Sequence, residues 1–252
     1  MNHQHEPAPH LSDAALQALP SPSADAPSYL IPNAPLASLT RDYLTALLDG
    51  DRRQASTLIL DAVAAGVPVK DIYLHVFQRA QYEVGRLWQI QDISVAQEHY
   101  CTAATQLIMS QLYPHIFSVA STGGTLVATC VSGDLHEIGV RMVADFFEME
   151  GWNTYYLGAN TPTDEVVGAL IERKADILAI SATISGHLRA VSALINAVRA
   201  NEACRHVTIL VGGYPFMATS DLWRQIGADG TAPDAQDAIA LASQFLVKRP
   251  PS

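Results

Sequence analysis

Residues 125–139 read TLVATCVSGDLHEIG, and this stretch sets the frame for the rest of the chain. Thr125 to Val131 is a short apolar run rich in β-branched residues, and the polar turn Ser132-Gly133-Asp134 stops it. An amphipathic stretch near 139–150 follows, so the segment predicts a strand, a loop and a helix. Further on the rhythm repeats. NTYYLG (153–158), ADILAIS (175–181) and HVTILVGG (206–213) are short and β-rich. Amphipathic stretches near 163–173, 187–200 and 219–226 lie after them, with a last helix near 234–247. Pro162, with Asp164 and Glu165 behind it, suits the start of the second of these helices. Strands alternating with helices predict an α/β, doubly wound parallel sheet, whose ligand sits at the carboxyl ends of the strands.

Three loops leave those ends. In Ser132-Gly133-Asp134-Leu135-His136-Glu137-Ile138-Gly139, Asp134 lies two residues before His136. Its carboxylate can reach one ring nitrogen and leave the other pointing outward, the arrangement behind a metal-ligating histidine. Gly139 lets a large ligand approach the helix start. The second loop offers the hydroxyls of Ser181 and Thr183 to a polar slot. The third, Gly212-Gly213, permits close backbone approach. His187 opens the following helix at the same end, as a cofactor neighbour or a satisfied polar residue. Each feature alone is weak, since a loop Asp-His pair is also common on surfaces. A nicotinamide site is excluded by the lack of GxGxxG, and a phosphate-binding loop by the lack of GxxxxGK[ST]. Lysine occurs only at 70, 174 and 248, none suited to a response regulator.

Upstream the pattern is helical. Residues 1–36 read as a flexible tail holding seven of the 14 prolines, with no glycine before Gly50. From 37 to 118 four helices are expected. Leu39, Tyr43, Leu44 and Leu47 repeat at helix spacing up to Gly50. A second run covers about Arg52 to Ala65, a third runs from Pro68 to Trp88, and a fourth begins at Ser94. Ser94 and Gln97 have the spacing of a capping box. Short turns between them predict an all-α four-helix bundle before a sheet domain over 123–248. Trp88 ends the third helix, while Val95, Glu98 and His99 share one face of the fourth or its edge. These four read either as a core indole beside a solvated helix end, or as a cap over a ligand.

Composition narrows the class. Apolar residues make up 49 % of the 252, charged residues 16 %, and the formal net charge is −10. Such a chain buries a core, and its acidity disfavours nucleic acid and anionic membranes. Cys101, Cys130 and Cys204 are odd in number and far apart, which favours reduced thiols. No apolar run suits a membrane helix and the amino terminus lacks a secretory signal, so a cytoplasmic protein is expected.

The three loops taken together resemble the base-off, His-on cobalamin-binding domain, whose fingerprint is DxHxxG, then SxL or SxT, then GG. Here 41 residues separate Gly139 from Ser181 and 28 separate Thr183 from Gly212. The resemblance spans roughly 123–248 and implies a Rossmann-like domain. It implies His136 as the lower ligand of cobalt, tuned by Asp134. Ser181, Thr183, Gly212 and Gly213 would line the slot for the displaced nucleotide tail. The pattern VGRLWQIQDISVAQEHY (84–100) resembles light-sensing cobalamin regulators related to the MerR family. In that family the Trp covers the upper ligand, usually 5′-deoxyadenosyl, and the Glu-His pair lies close to it.

The resemblance therefore implies a cobalamin-binding, light-responsive regulator holding adenosylcobalamin, with methylcobalamin or hydroxocobalamin as other forms. The region before Leu36 is too short for a winged helix, and Gln89 stands where these sensors often carry a His. The expected output passes through a protein partner such as a transcription regulator, without direct DNA contact, with possible light-dependent self-association. The alternative is a corrinoid carrier shuttling methyl groups between methyltransferases. A small subunit of a radical mutase is a weaker third reading.

Overall fold

A computed structural model describes residues 27–116, 121 and 123–247. The proline-rich segment before Pro27, with His3, His5 and His10, lies outside the described residues. The chain divides into two compact units, one covering residues 22–118 and the other containing 119–252.

The first unit is helical. It comprises α1 (Ala37–Leu48), α2 (Arg52–Ala64), α3 and α4 (Val95–Gln111). Helix α3 is continuous from Val69–Ile72 through a π-helical stretch, Tyr73–Phe77, into Gln78–Gln89. The π stretch was not legible from apolar spacing, because it alters the hydrogen-bond ladder and keeps the apolar face. Thr40 answers it by donating its hydroxyl to the His75 carbonyl at 2.8 Å. Tyr73 and Phe77 from this stretch are fully buried, and Phe77 lies 5.5 Å from the Tyr43 ring of α1. The Tyr43 hydroxyl meets Thr105 of α4 at 2.8 Å. Helix α4 starts on the expected capping box: the Gln97 amide donates to Ser94 Oγ at 3.2 Å, and the Ser94 amide to Gln97 Oε1 at 3.0 Å.

The second unit is a five-stranded parallel sheet between two helical layers. Its elements are β1 (Thr125–Val131), α5 (Ile138–Met149), β2 (Asn153–Thr161), α6 (Thr163–Arg173), β3 (Ile177–Ser181), α7 (Leu188–Ala200), β4 (Thr208–Gly212), α8 (Tyr214–Ala218), α9 (Leu222–Gln225), β5 (Gly230–Thr231) and α10 (Ala235–Val247). Strand order is β2-β1-β3-β4-β5. Alternate side chains divide the core. Val127, Leu178, Ile180, Ile209 and Val211 pack with α6 and α7, while Leu126, Ala128, Ile177, Ala179 and Leu210 pack with α5 and α10. Both faces of β1, β3 and β4 are covered, which is why these strands read as nearly unbroken apolar runs, while the edge strand β2 is only partly buried. This is the doubly wound α/β architecture expected.

Details differ from expectation after β4. A helix, α8, begins at Tyr214-Pro215, where only a loop was read. The 219–226 stretch shrinks to the four residues of α9, and a two-residue edge strand, β5, follows. Strand β2 also runs past Gly158 to Thr161. Strand order reverses between β1 and β3, so the loops after these two strands diverge and open a crevice at their carboxyl ends.

Candidate functional site

Register places the three loops side by side. Cys130 of β1 pairs with Ser181 of β3, and Ser181 with Gly212 of β4. The residues that follow each therefore leave one edge of the sheet, at the reversal of strand order.

Asp134 is the anchor of this edge. It is fully buried, and its two oxygens serve different partners. Oδ1 accepts from the His136 backbone amide at 2.9 Å and lies 2.8 Å from His136 Nδ1. Oδ2 accepts from the Thr183 amide at 3.2 Å and lies 3.1 Å from His187 Nδ1. Burial alone pushes this carboxyl up. The hydrogen bonds from His136, the nearby His187 and the Thr183 amide outweigh burial and hold it below the usual carboxylate range. An anionic acceptor at Nδ1 favours the proton on that nitrogen, which leaves Nε2 as the atom that would bear the lone pair of the neutral ring. That ring is half exposed, whereas its carboxylate partner is sealed from water.

The glycines of the site differ in what they do. A Cβ on Gly139 would meet only Ser181 Oγ, at 3.9 Å, and one on Gly212 only the Ala232 carbonyl, at 4.0 Å. Both leave room that a ligand can use. Gly213 has a φ of +103°, and a Cβ there would lie 2.0 Å from the Ala182 carbonyl oxygen. Its lack of a side chain therefore serves the approach of β4 to the β3 loop, where the Ala182 amide donates to the Gly212 carbonyl at 3.0 Å.

Residues not singled out from sequence hold the first loop. Asn160, at a φ of +52°, accepts from the Gly133 amide at 2.7 Å, and its own amide donates to the Asp134 carbonyl at 2.9 Å. Glu137 accepts from the Tyr156 hydroxyl at 2.9 Å and the Ala159 amide at 3.0 Å, tying the start of α5 to β2. The buried Cys130 thiol lies 3.5 Å from the His136 carbonyl. An asparagine in left-handed conformation just before Thr-Pro was the one signal available for this clamp.

In the helical unit, Trp88 stands near the end of α3 and Val95 opens α4 after a short turn through Gln91. Trp88 is 45 % exposed and Val95 54 %, so neither is core. Glu98 Oε2 lies 2.5 Å from His99 Nδ1, and Oε1 accepts from the Thr102 hydroxyl at 2.9 Å. The His99 side chain is largely exposed.

Among the described residues, no group of three or more His, Cys, Asp or Glu side chains could hold a metal ion. A corrin brings its own equatorial nitrogens, so one protein histidine suffices for its cobalt. The donor set, a neutral imidazole backed by a sealed carboxylate, fits that demand, as does the open space at Gly139 and Gly212.

Comparisons with known proteins point to the same cofactor class. A family model described as a B12 binding domain matches residues 124–240, and a second B12 binding domain model matches 39–113. A corrinoid protein of Desulfitobacterium hafniense is 28 % identical, covering 84 % of this chain and all of that protein. Trimethylamine corrinoid protein 1 of Methanosarcina acetivorans is 27 % identical, over 80 % of this chain and 94 % of its own. Dimethylamine corrinoid protein 3 of the same organism is 30 % identical, with 49 % of this chain and 57 % of that protein aligned. The solved structure of the Methanosarcina barkeri monomethylamine corrinoid protein superposes with a TM-score of 0.74 at 23 % identity, over 83 % of this chain and 99 % of that one, which shows the shared fold.

These relatives overturn the light-responsive regulator expected from Trp88 and the Glu98-His99 pair, and with it the transcription regulator as partner. The relatives found are corrinoid proteins, three of them named for methylamines. The physical reason is that an exposed indole beside an exposed helix start defines a surface suited to a flat ligand. It carries no information on what the ligand does next. Among the described residues no helix is long and apolar enough to cross a membrane.

Proposed function

Because the chain is a cobalamin-binding protein with a helical amino-terminal unit, we propose that it is a corrinoid carrier, loaded with a methyl group by one methyltransferase and unloaded by another. The observation that carries this reading is the likeness to two corrinoid proteins, 28 % and 27 % identical, that align over most of this chain. The sealed Asp134 carboxylate, 2.8 Å from His136 Nδ1 at the reversal point of the sheet, supports the cobalt ligation that a carrier requires. Bound cobalamin supplies a cobalt centre that accepts a methyl group and yields it to a nucleophile.

The chain's own residues do the rest. His136 offers Nε2 to cobalt, and Asp134 keeps the ring in that tautomer and orientation. Ser181, Thr183, Gly212 and Gly213 would line the slot for the displaced nucleotide tail, and Gly139 leaves room for the ligand at the start of α5. Trp88, Val95, Glu98 and His99 of the helical unit belong to the proposed set of cofactor contacts, the exposed indole being a flat apolar surface of the kind a macrocycle packs on. A carrier needs methyl as its upper ligand rather than the 5′-deoxyadenosyl group expected from the sensor resemblance. Its partners are methyltransferases rather than transcription regulators.

The test is a transfer assay. The purified chain is loaded with hydroxocobalamin, reduced and methylated with labelled methyl iodide. A corrinoid-to-thiol methyltransferase and a thiol acceptor are then added. Label should move to the thiol only when the transferase is present. Label that stays on the protein across a panel of such transferases contradicts the carrier reading.

A further inference from the structure

Asp134 has a second side-chain neighbour that the ligand pair does not require. His187 ends the short 3-10 turn Ser185–His187 before α7, with a side chain only 16 % exposed. Its Nδ1 lies 3.1 Å from Asp134 Oδ2, yet is buried without an aligned hydrogen-bond acceptor. Its ring centre is 6.4 Å from that of His136. Two histidines therefore address one carboxylate, each through Nδ1 and each at a different oxygen.

We propose that His187 is a positioning residue for the cobalt ligand: it holds charge on Oδ2 and so limits how strongly Asp134 draws on His136. The inference rests on His136 ligating cobalt as proposed above. A lone pair on Nδ1 this close to a carboxylate oxygen is repulsive, so Nδ1 carries the proton; its N–H lies off the line to Oδ2 and acts on that oxygen through its charge rather than through an aligned hydrogen bond. The backbone amides of His136 and Thr183 already fix Asp134, one at each oxygen. Removing His187 therefore leaves the carboxylate in place and removes one competing donor. The freed charge then falls on His136 Nδ1–H, which makes Nε2 a stronger donor.

The experiment reads the cobalt(II)/cobalt(I) midpoint potential of the full chain loaded with hydroxocobalamin. Cobalt(I) takes no axial donor, so a stronger imidazole lowers the potential. His187→Leu and His187→Ala should tighten ligation about tenfold, the low end for an outer partner of a metal ligand. For one electron that is about 59 mV more negative. His187→Gln, which restores an N–H donor, should stay near the parent, and Asp134→Asn should move the potential the other way. Melting of the cofactor-free variants reports folding separately. His136→Ala sets the scale. If it leaves the potential unchanged, the ligation itself is wrong. If it shifts the potential while the Leu and Ala variants of His187 match the parent or move positive, the role of His187 is overturned.

Discussion

Gly213→Ala isolates the part of the site that is built from backbone. Position 213 has φ +103° and ψ 175°, a region essentially reserved for glycine, where another residue costs about 1–3 kcal/mol. The added Cβ would lie 2.0 Å from the Ala182 carbonyl oxygen, against 3.4 Å for the shortest ordinary contact, a gap of 1.4 Å. A backbone carbonyl cannot swing aside as a flexible side chain can. The end of β4 and the β3 loop must separate, which breaks the bond from the Ala182 amide to the Gly212 carbonyl, worth about 0.5–1.5 kcal/mol net. Together the two effects predict a loss of about 2–4 kcal/mol. Gly212→Ala is the control, because its Cβ meets one atom at 4.0 Å. It should change stability by no more than about 0.5 kcal/mol, yet weaken cobalamin binding by placing a methyl in the tail slot. Urea denaturation of the cofactor-free proteins, followed by far-ultraviolet circular dichroism, measures the first quantity, and cobalamin titration the second. A Gly213→Ala protein as stable as the parent would refute the close-approach reasoning.

Other substitutions probe the remaining supports. Asn160→Ala removes the acceptor for the Gly133 amide and places alanine at positive φ, so about 2 kcal/mol should be lost in the same denaturation assay. Trp88→Ala should leave the stability of the cofactor-free chain within about 1 kcal/mol, since the indole is 45 % exposed, while cobalamin dissociates faster in a dilution assay. Glu83 is buried in the helical unit, where Arg86 and the Tyr29 amide donate to it. Burial pushes its carboxyl up, but those partners hold it below the ordinary value of 4.5. A lowered native pKa gives stability that is present above pH 4.5 and lost as the pH falls through the native value. Glu83→Gln should therefore cost about 2 kcal/mol at neutral pH and flatten the acid limb of the melting profile.

Strands β1, β3 and β4 were readable because both their faces are covered, which turns each into an apolar run closed by a loop. Asp134 and His136 were readable because two residues of loop suffice to bring a carboxylate to an imidazole. The π stretch of α3 left no mark, since Tyr73, Val76 and Phe77 satisfy the same apolar face in either helix type. Strand β5 is two residues long and relies on β4 for its existence, so no local pattern marks it. His187 was seen as a helix opener near the site, but its contact with Asp134 depends on how the β3 loop returns, a tertiary fact. The output of Trp88 and the Glu98-His99 pair was misread because an exposed indole beside a half-buried glutamate and an exposed histidine describes a surface and not the reaction of what lies on it.

The account turns on one bond, from His136 to cobalt. The direct measurement is the electron paramagnetic resonance spectrum of the chain loaded with cobalamin and reduced to cobalt(II), prepared with ordinary and with 15N-labelled histidine. Ligation through His136 predicts nitrogen splitting whose multiplicity changes with the label, a label dependence that is lost in His136→Ala while cobalamin stays bound. Splitting that ignores the histidine label, or a label-dependent splitting that persists in His136→Ala, would contradict it.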